Sequence, residues 1–357
     1  MVSTNLRGIL SMRRIRTWAA LVLSAVLLTA CGGAKPEAKP ATPAPTQTQA
    51  PAPAEKTWEP TKQVTLMVPY SAGGSTDLLA RAIEKVWPKY VKQGLVVVNK
   101  SGAGGFEGRE SVVRGAADGY TLMMGYGSGE DLVVPQLRTT NVDVFKDLLP
   151  VARMSVHSVL VAVPAASEFK SLKDVVDWAK KNPEKPVTAA VATAAGAQDI
   201  VMRGIGKVAG IKVTPVPHQG GSQAITALVG AQTMIGGGHP AEVMPHVKSG
   251  RLRVIGVALP ERDPSLPDVQ TLKEQGVNFS TWGSVKGIAV AKGTAPEVIK
   301  YYEEIMKKIA EDADFKKAMG DLYQPIMYQN AKDFGAFMTQ AYGDYTKIIK
   351  DLDIKLQ

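Results

Sequence analysis

The chain has 357 residues and one cysteine, Cys31. No disulfide can form within it, so its fold must rest on its core. Histidine is nearly as scarce. His157, His218, His239 and His246 include no H-E-x-x-H and no i, i+4 pair, which leaves no ligand pattern for zinc. There is no G-x-S-x-G elbow and no G-x-x-x-x-G-K-[ST] loop. The segment most like a dinucleotide fingerprint, Gly102-Ala103-Gly104-Gly105-Phe106-Glu107-Gly108, has Glu107 where the third glycine belongs. It reads as a tight connection that lets a helix pack closely on its sheet. These absences argue against a catalytic site: no catalytic residue, no metal and no cofactor is expected. The apolar run Trp18 to Leu28 falls far short of the ~20 residues that cross a bilayer.

What is present begins with that run. Met12-Arg13-Arg14-Ile15-Arg16 forms a basic head before it, and Leu28-Thr29-Ala30-Cys31 closes it with small residues. A charged head, a short apolar core and a small-residue site make a secretory signal. Translation could start at Met1 or at Met12. The Leu-Thr-Ala-Cys end resembles a bacterial lipobox, which implies cleavage before Cys31 and lipid attachment to its sulfur. The expectation is a signal peptide over 1–30 and an extracytoplasmic lipoprotein, held to a membrane at the cell surface or in the periplasm.

Residues 31–60 are almost entirely Gly, Ala, Pro, Lys, Glu, Thr and Gln. Such a stretch has too little apolar surface to offset the entropy of ordering, and its prolines favour an extended spacer. The remainder exceeds the usual size of one core and suggests two domains. The formal charge is +9, and removal of Arg7, Arg13, Arg14 and Arg16 with the leader lowers it to +5. That balance suits anionic small solutes or a lipid surface. Lys and Arg alternate with Asp and Glu instead of clustering, so nucleic acid is not an expected partner.

Hydrophobic periodicity predicts strands over 63–69, 94–99, 120–125, 159–164, 187–192, 213–217, 253–258 and 287–291. Helices are predicted over 76–87, 106–114, 172–181, 198–209, 222–229, 296–311, 314–321 and 331–352, with a helical stretch ending at Leu137. Ser171 with Asp174 makes a capping-box-like start, and Thr294 and Asn330 sit where N-caps belong. Alternation of strand and helix argues for parallel α/β sheets, in which ligands bind beyond the carboxyl ends of the strands.

The loops at those ends are the candidate sites. The first strand runs into Tyr70-Ser71-Ala72-Gly73-Gly74-Ser75-Thr76-Asp77. Its glycines permit close approach, and the helix that follows begins with unpaired amides at a positive dipole end, where an anion is favoured. No cationic side chain lies in this loop, so binding there would rest on amides and hydroxyls. Val216-Pro217-His218-Gln219-Gly220-Gly221-Ser222 repeats the pattern. Thr193, Ala194, Gly196 and Gln198, and then Ser128, lie in further strand-to-helix loops. His239 follows Gly236-Gly237-Gly238 at a strand end, and Trp282 lies near a crossing between lobes. Trp58 and Trp178 read as packing residues.

Several segments together carry a family resemblance. Met67 to Asp77 is similar to the P-Y/F-x-A-G-G-x-x-D segment of the extracytoplasmic solute receptors of tripartite tricarboxylate transporters, the Bug family. Asn99 to Gly105 resembles that family's N-K-x-G-A-G-G, and Ala117 to Leu122 its A-D-G-Y-T-L. Pro245 to Arg253 and Leu266 to Val269 resemble later segments. The resemblance implies a type II periplasmic-binding-protein fold, with two α/β lobes and a ligand cleft between them. The lobes would be 61–158 with 281–357, and 159–280. It implies a monomeric receptor that captures a small carboxylate solute and delivers it to transporter membrane subunits. Tyr70, Ala72, Gly73, Gly74, Ser75 and Asp77 match the residues that hold a carboxylate, and Thr193, Gly196 and Gln198 match the loop facing the ligand's other end. His218 stands where the family commonly has Tyr, and Gly236-Gly237-Gly238-His239 replaces a segment that often carries an acidic residue, so the solute's identity does not carry over. A carboxylate sensor for a signalling partner fits the same residues; a lipid-anchored enzyme fits them less well.

Overall fold

The computed structural model describes residues 58–355; the leader, Cys31 and nearly all of the tether lie outside them. In chain order the strands are β1 (Val64–Val68), β2 (Leu95–Asn99), β3 (Thr121–Tyr126), β4 (Leu148–His157), β5 (Leu160–Pro164), β6 (Val187–Val191), β7 (Val213–Pro217), β8 (Ile235–Gly238), β9 (Leu252–Val257), β10 (Ser284–Ala291) and β11 (Ile326–Asn330). The helices are α1 (Ser75–Val86), α2 (Phe106–Val113), α3 (Gly129–Leu137), α4 (Val144–Asp147), α5 (Leu172–Lys181), α6 (Ala197–Ala209), α7 (Gly221–Val229), α8 (Pro240–Lys248), α9 (Pro296–Glu311), α10 (Ala313–Asp321) and α11 (Ala331–Leu352).

Two sheets form, one in the order β11-β4-β10-β3-β1-β2, the other β7-β6-β8-β5-β9. Each holds a parallel trio, β2-β1-β3 or β7-β6-β8, flanked by an antiparallel strand, β10 or β5. The chain crosses once at Ser158, between β4 and β5, and returns over 258–283 before β10. The two crossings are tied together: Ala258 N donates to Val159 O and Thr281 N to Ala258 O, each at 2.9 Å.

Alternation along the strands divides the core. In β1, Leu66 and Val68 face α1 and α9, packing with Leu79, Ile83, Tyr302 and Ile305. Met67, one residue out of phase, packs on the opposite side with Phe334, Met338 and Tyr345 of α11. The second lobe repeats this plan. Val161 and Val163 of β5 pack with Val201 and Ile205 of α6, whereas Leu160 and Ala162 meet Ile225 and Leu228 of α7.

Two expectations need correction. Strands β4 and β11 were not foreseen. Pro150 and Arg153 break the apolar pattern of β4, and its ladder with β10 shifts register twice; Arg153 is accommodated because its Nε donates to Met327 O at 2.9 Å. Ala295, not Thr294, caps α9. The Thr294 hydroxyl turns back to donate to Ala291 O at 2.7 Å. Trp58, read as a packing residue although it falls within 31–60, packs edge-on against Tyr120, Tyr301 and Tyr302. The Ser171–Asp174 capping box and the Asn330 cap form as expected.

Candidate functional site

Every parallel strand that leads into the space between the sheets is followed by a helix beginning there. These are α1 after β1, α3 after β3, α6 after β6, α7 after β7 and α8 after β8. Their N-cap residues are Gly74, Ser128, Gly196, Gly220 and His239, and none caps its helix with its own side chain. Elsewhere Asp143, Ser171, Asp312 and Asn330 cap their helices with their side chains. Five helix starts, each with unpaired amides and a partial positive charge, therefore converge on one cleft.

The protein's own carboxylates meet them. Glu242, in the first turn of α8, accepts from Ser75 N at 2.7 Å through Oε1 and from His239 N at 3.0 Å through Oε2. A Cβ built on Gly221 would lie 2.0 Å from its Oε1, so a side chain at the start of α7 would push this carboxylate aside. One carboxylate thus sits at the starts of α1, α7 and α8. Glu130, in the first turn of α3, accepts from the Thr193 hydroxyl across the cleft and from the Tyr70 hydroxyl at 3.1 Å. Asp77 accepts from Gly73 N at 2.8 Å, Asp199 from Ala195 N at 2.7 Å, and Gln198 Oε1 from Ala192 N at 2.6 Å. The expected rows of open amides are in good part engaged already.

Two buried cations balance the acids. Arg109, on α2, is fully buried and donates from Nε to Asp131 at 2.5 Å and from Nη2 to Tyr70 and Ser128 at 3.0 and 2.9 Å. Burial by itself raises Glu130, but the Arg109 guanidinium and the Thr193 hydroxyl outweigh it and leave this carboxyl below its ordinary value. Lys286 is the one charged residue of β10, and its Nζ donates to Ser284 Oγ at 2.9 Å. Burial pulls its ammonium down to about 8, with Glu130 and Glu242 pulling the other way. An ammonium carries three donors, so Lys286 has capacity to spare. Gln198 Nε2 is buried with no partner among the described residues.

Tyr70, Gly74, Ser75, Thr76, Thr193, Gly196, Gln198, Gly221 and His239 line the cavity together with Glu130, Glu242, Ser284 and Lys286. Ser71 binds the lobes to each other: its N donates to Gln219 O at 3.3 Å, and its hydroxyl lies 3.1 Å from that of Ser222, with Gly220 packed so closely on it that a Cβ there would lie 2.3 Å from Ser71 Oγ. Asp77 and Ser128 stand behind the lining, holding Gly73 and Tyr70. Ala72 and Gly73 are exposed at the rim. Ala194 faces a separate groove with Asp199 and Arg203. His218 is half-buried against Val191 O at 3.3 Å, away from the cavity. Trp282 is exposed and lines another groove, with Met327 and Phe337.

The cavity measures about 30 Å³, room for water alone; any solute must enter with the lobes parted. A carboxylate brought within ~4 Å of Glu130 or Glu242 would meet roughly 4 kcal/mol of repulsion at an effective dielectric of 20. One helix start returns about 0.3–1 kcal/mol, up to ~2 when partly buried. The lining therefore separates places that accept negative charge from places that reject it.

A profile of the tripartite tricarboxylate transporter family receptor matches residues 79–354. A "UPF0065 protein in gbd 5'region" from Cupriavidus necator is 28% identical over 304 residues, covering 85% of this chain and 91% of that protein. Among solved structures, the periplasmic binding protein BugD superposes with a TM-score of 0.77 at 23% identity, covering 84% of this chain and all of its own. Rpa4515 of R. palustris, solved with adipate, gives 0.78 at 23% identity, covering 83% and 99%.

Proposed function

The chain belongs to the family of tripartite tricarboxylate transporter receptors, and on that premise we propose that it is a lipid-anchored extracytoplasmic receptor that closes on a small carboxylate. It hands this solute to transporter membrane subunits and is tethered by lipid on Cys31. The observation that carries the reading is the convergence of α1, α3, α6, α7 and α8 on one inter-lobe cavity that also holds the spare donors of Lys286 and Gln198. Adipate in Rpa4515 supports the solute class.

Solute entry follows from the contacts. Parting the lobes breaks the Ser75–Glu242, Thr193–Glu130 and Ser71–Gln219 bonds. The exposed amides and the Lys286 ammonium then meet the solute, and reclosure excludes water and strengthens each charged contact. Micromolar binding needs about 8 kcal/mol, which several such contacts and shape must supply jointly.

Mass spectrometry of what the purified protein releases on denaturation tests this directly, together with thermal shift across carboxylates. A bound solute raises the melting temperature by mass action. No released acid and no shift with any mono-, di- or tricarboxylate or amino acid would refute the reading. Mass spectrometry of the mature N-terminus checks the lipid on Cys31.

A further inference from the structure

Resting on the receptor reading, we propose that the solute is a zwitterion, its cationic nitrogen held between Glu130 and Glu242 and its carboxylate taken by Lys286 Nζ and Gln198 Nε2. The starting observation is that the cavity is lined by charges of both signs. Glu130 comes from the first lobe and Glu242 from the second, each buried. Each of their oxygens accepts one bond from the protein, and a carboxylate has about four lone-pair sites, so both retain capacity toward the cavity.

Neither acid is neutralised by an ion pair. The buried guanidinium of Arg109 is bound to Asp131, and no salt bridge within 4 Å joins Lys286 to Glu130 or Glu242 among the described residues. Two acids and one ammonium face the same small space. On the donor side, Gln198 is 3% exposed and its Nε2 is without a partner. A buried amide left unpaired is costly, and a bound acceptor removes that cost.

The alternatives fit this lining less well. A di- or tricarboxylate would place its second acid against Glu130 or Glu242, which already occupy the helix starts. A simple amine would find its counter-ions but would meet the Lys286 ammonium, and it would leave Gln198 unsatisfied. A molecule with both an ammonium and a carboxylate matches donors with acceptors on each wall. Specificity of this kind lies as much in what the site rejects as in what it attracts.

The test is calorimetry on the mature chain with matched pairs: alanine against propionate, aspartate against succinate, and glutamate against glutarate, extended across the other amino acids and their des-amino counterparts. At least one amino acid should bind 100-fold or more tighter than its des-amino partner. In the Glu130→Gln/Glu242→Gln double variant, with folding checked by circular dichroism, that preference should fall below tenfold. Des-amino acids that bind as tightly as, or tighter than, their amino acids would overturn the zwitterion while leaving the receptor reading intact. A preference that survives in a folded double variant would also overturn it. If nothing in either series binds the wild type, the zwitterion falls, and the receptor reading then stands or falls on the acid released by denaturation and on the wider carboxylate panel.

Discussion

The carboxylate of Glu242, carried by the second lobe, accepts the Ser75 amide of the first at 2.7 Å. It holds the position at a helix start where the sequence alone places a solute's acid. The protein supplies an internal anion and closes on it. Glu242→Ala should remove this clasp. A hydrogen bond to a charged group contributes about 1.5–3 kcal/mol, so closure of the solute-free protein should weaken roughly 10- to 100-fold. Small-angle scattering should show a larger radius of gyration for the variant without solute. An unchanged radius would mean that the remaining lobe contacts suffice.

Closure can be blocked without touching a charged group. A Cβ on Gly129 would lie 2.6 Å from Ala197 N and 3.0 Å from Gly196 C, backbone atoms of the opposite lobe. Gly129 opens α3, where alanine is favoured over glycine by up to about 1 kcal/mol. Gly129→Ala should therefore keep or slightly raise the melting temperature, yet bind solute at least tenfold more weakly by calorimetry. Loss of binding with loss of folding would point to a different role.

Behind the lining, the Arg109–Asp131 pair is wholly buried, and Arg109 also holds Tyr70 and Ser128. Removing one partner leaves an uncompensated charge in the interior, which costs about 3–5 kcal/mol. Arg109→Met should shift the urea midpoint down accordingly. Exchanging both residues for apolar ones should recover part of the loss.

Much of this architecture is legible in the chain. The βα rhythm, the glycine-opened helices and the apolar face of α1 follow from local periodicity, and Gly74, Gly196, Gln198 and Gly221 do line the cavity. The charges that decide its chemistry are less visible. Glu130 and Glu242 read as ordinary first-turn acids, and only the sheet topology brings them from opposite lobes to one cavity. Arg109 directly follows Gly102–Gly108, the segment that superficially suggests a nucleotide. Lys286 offers the clearest missed signal: a lone lysine in Ser284–Ala291, a run buried throughout, must have a partner or a task. Ala194 and His218 show the reverse limit, since adjacency along a loop does not say which side chains turn inward.

The same lysine gives the solute-free protein a distinct response to pH. Its ammonium holds its proton to about pH 8 in the folded state against an ordinary 10.5, because burial penalises the charged form. Between those values the unfolded chain carries the proton and the folded chain does not. Unfolding free energy therefore rises with pH across that window, by about 3 kcal/mol if Lys286 acted alone. Below pH 8 the contribution is absent, since both states are protonated. Solute binding should run the opposite way. An acid held by Lys286 stabilises the ammonium, so affinity should fall above pH 8 and approach tenfold per pH unit. Denaturant titrations between pH 7 and 10.5, and calorimetry between pH 7 and 9, below the range in which an amino acid's own ammonium titrates, measure the two slopes. In Lys286→Met both should flatten. If affinity keeps its pH dependence in that variant, Lys286 is not the group that meets the solute's acid.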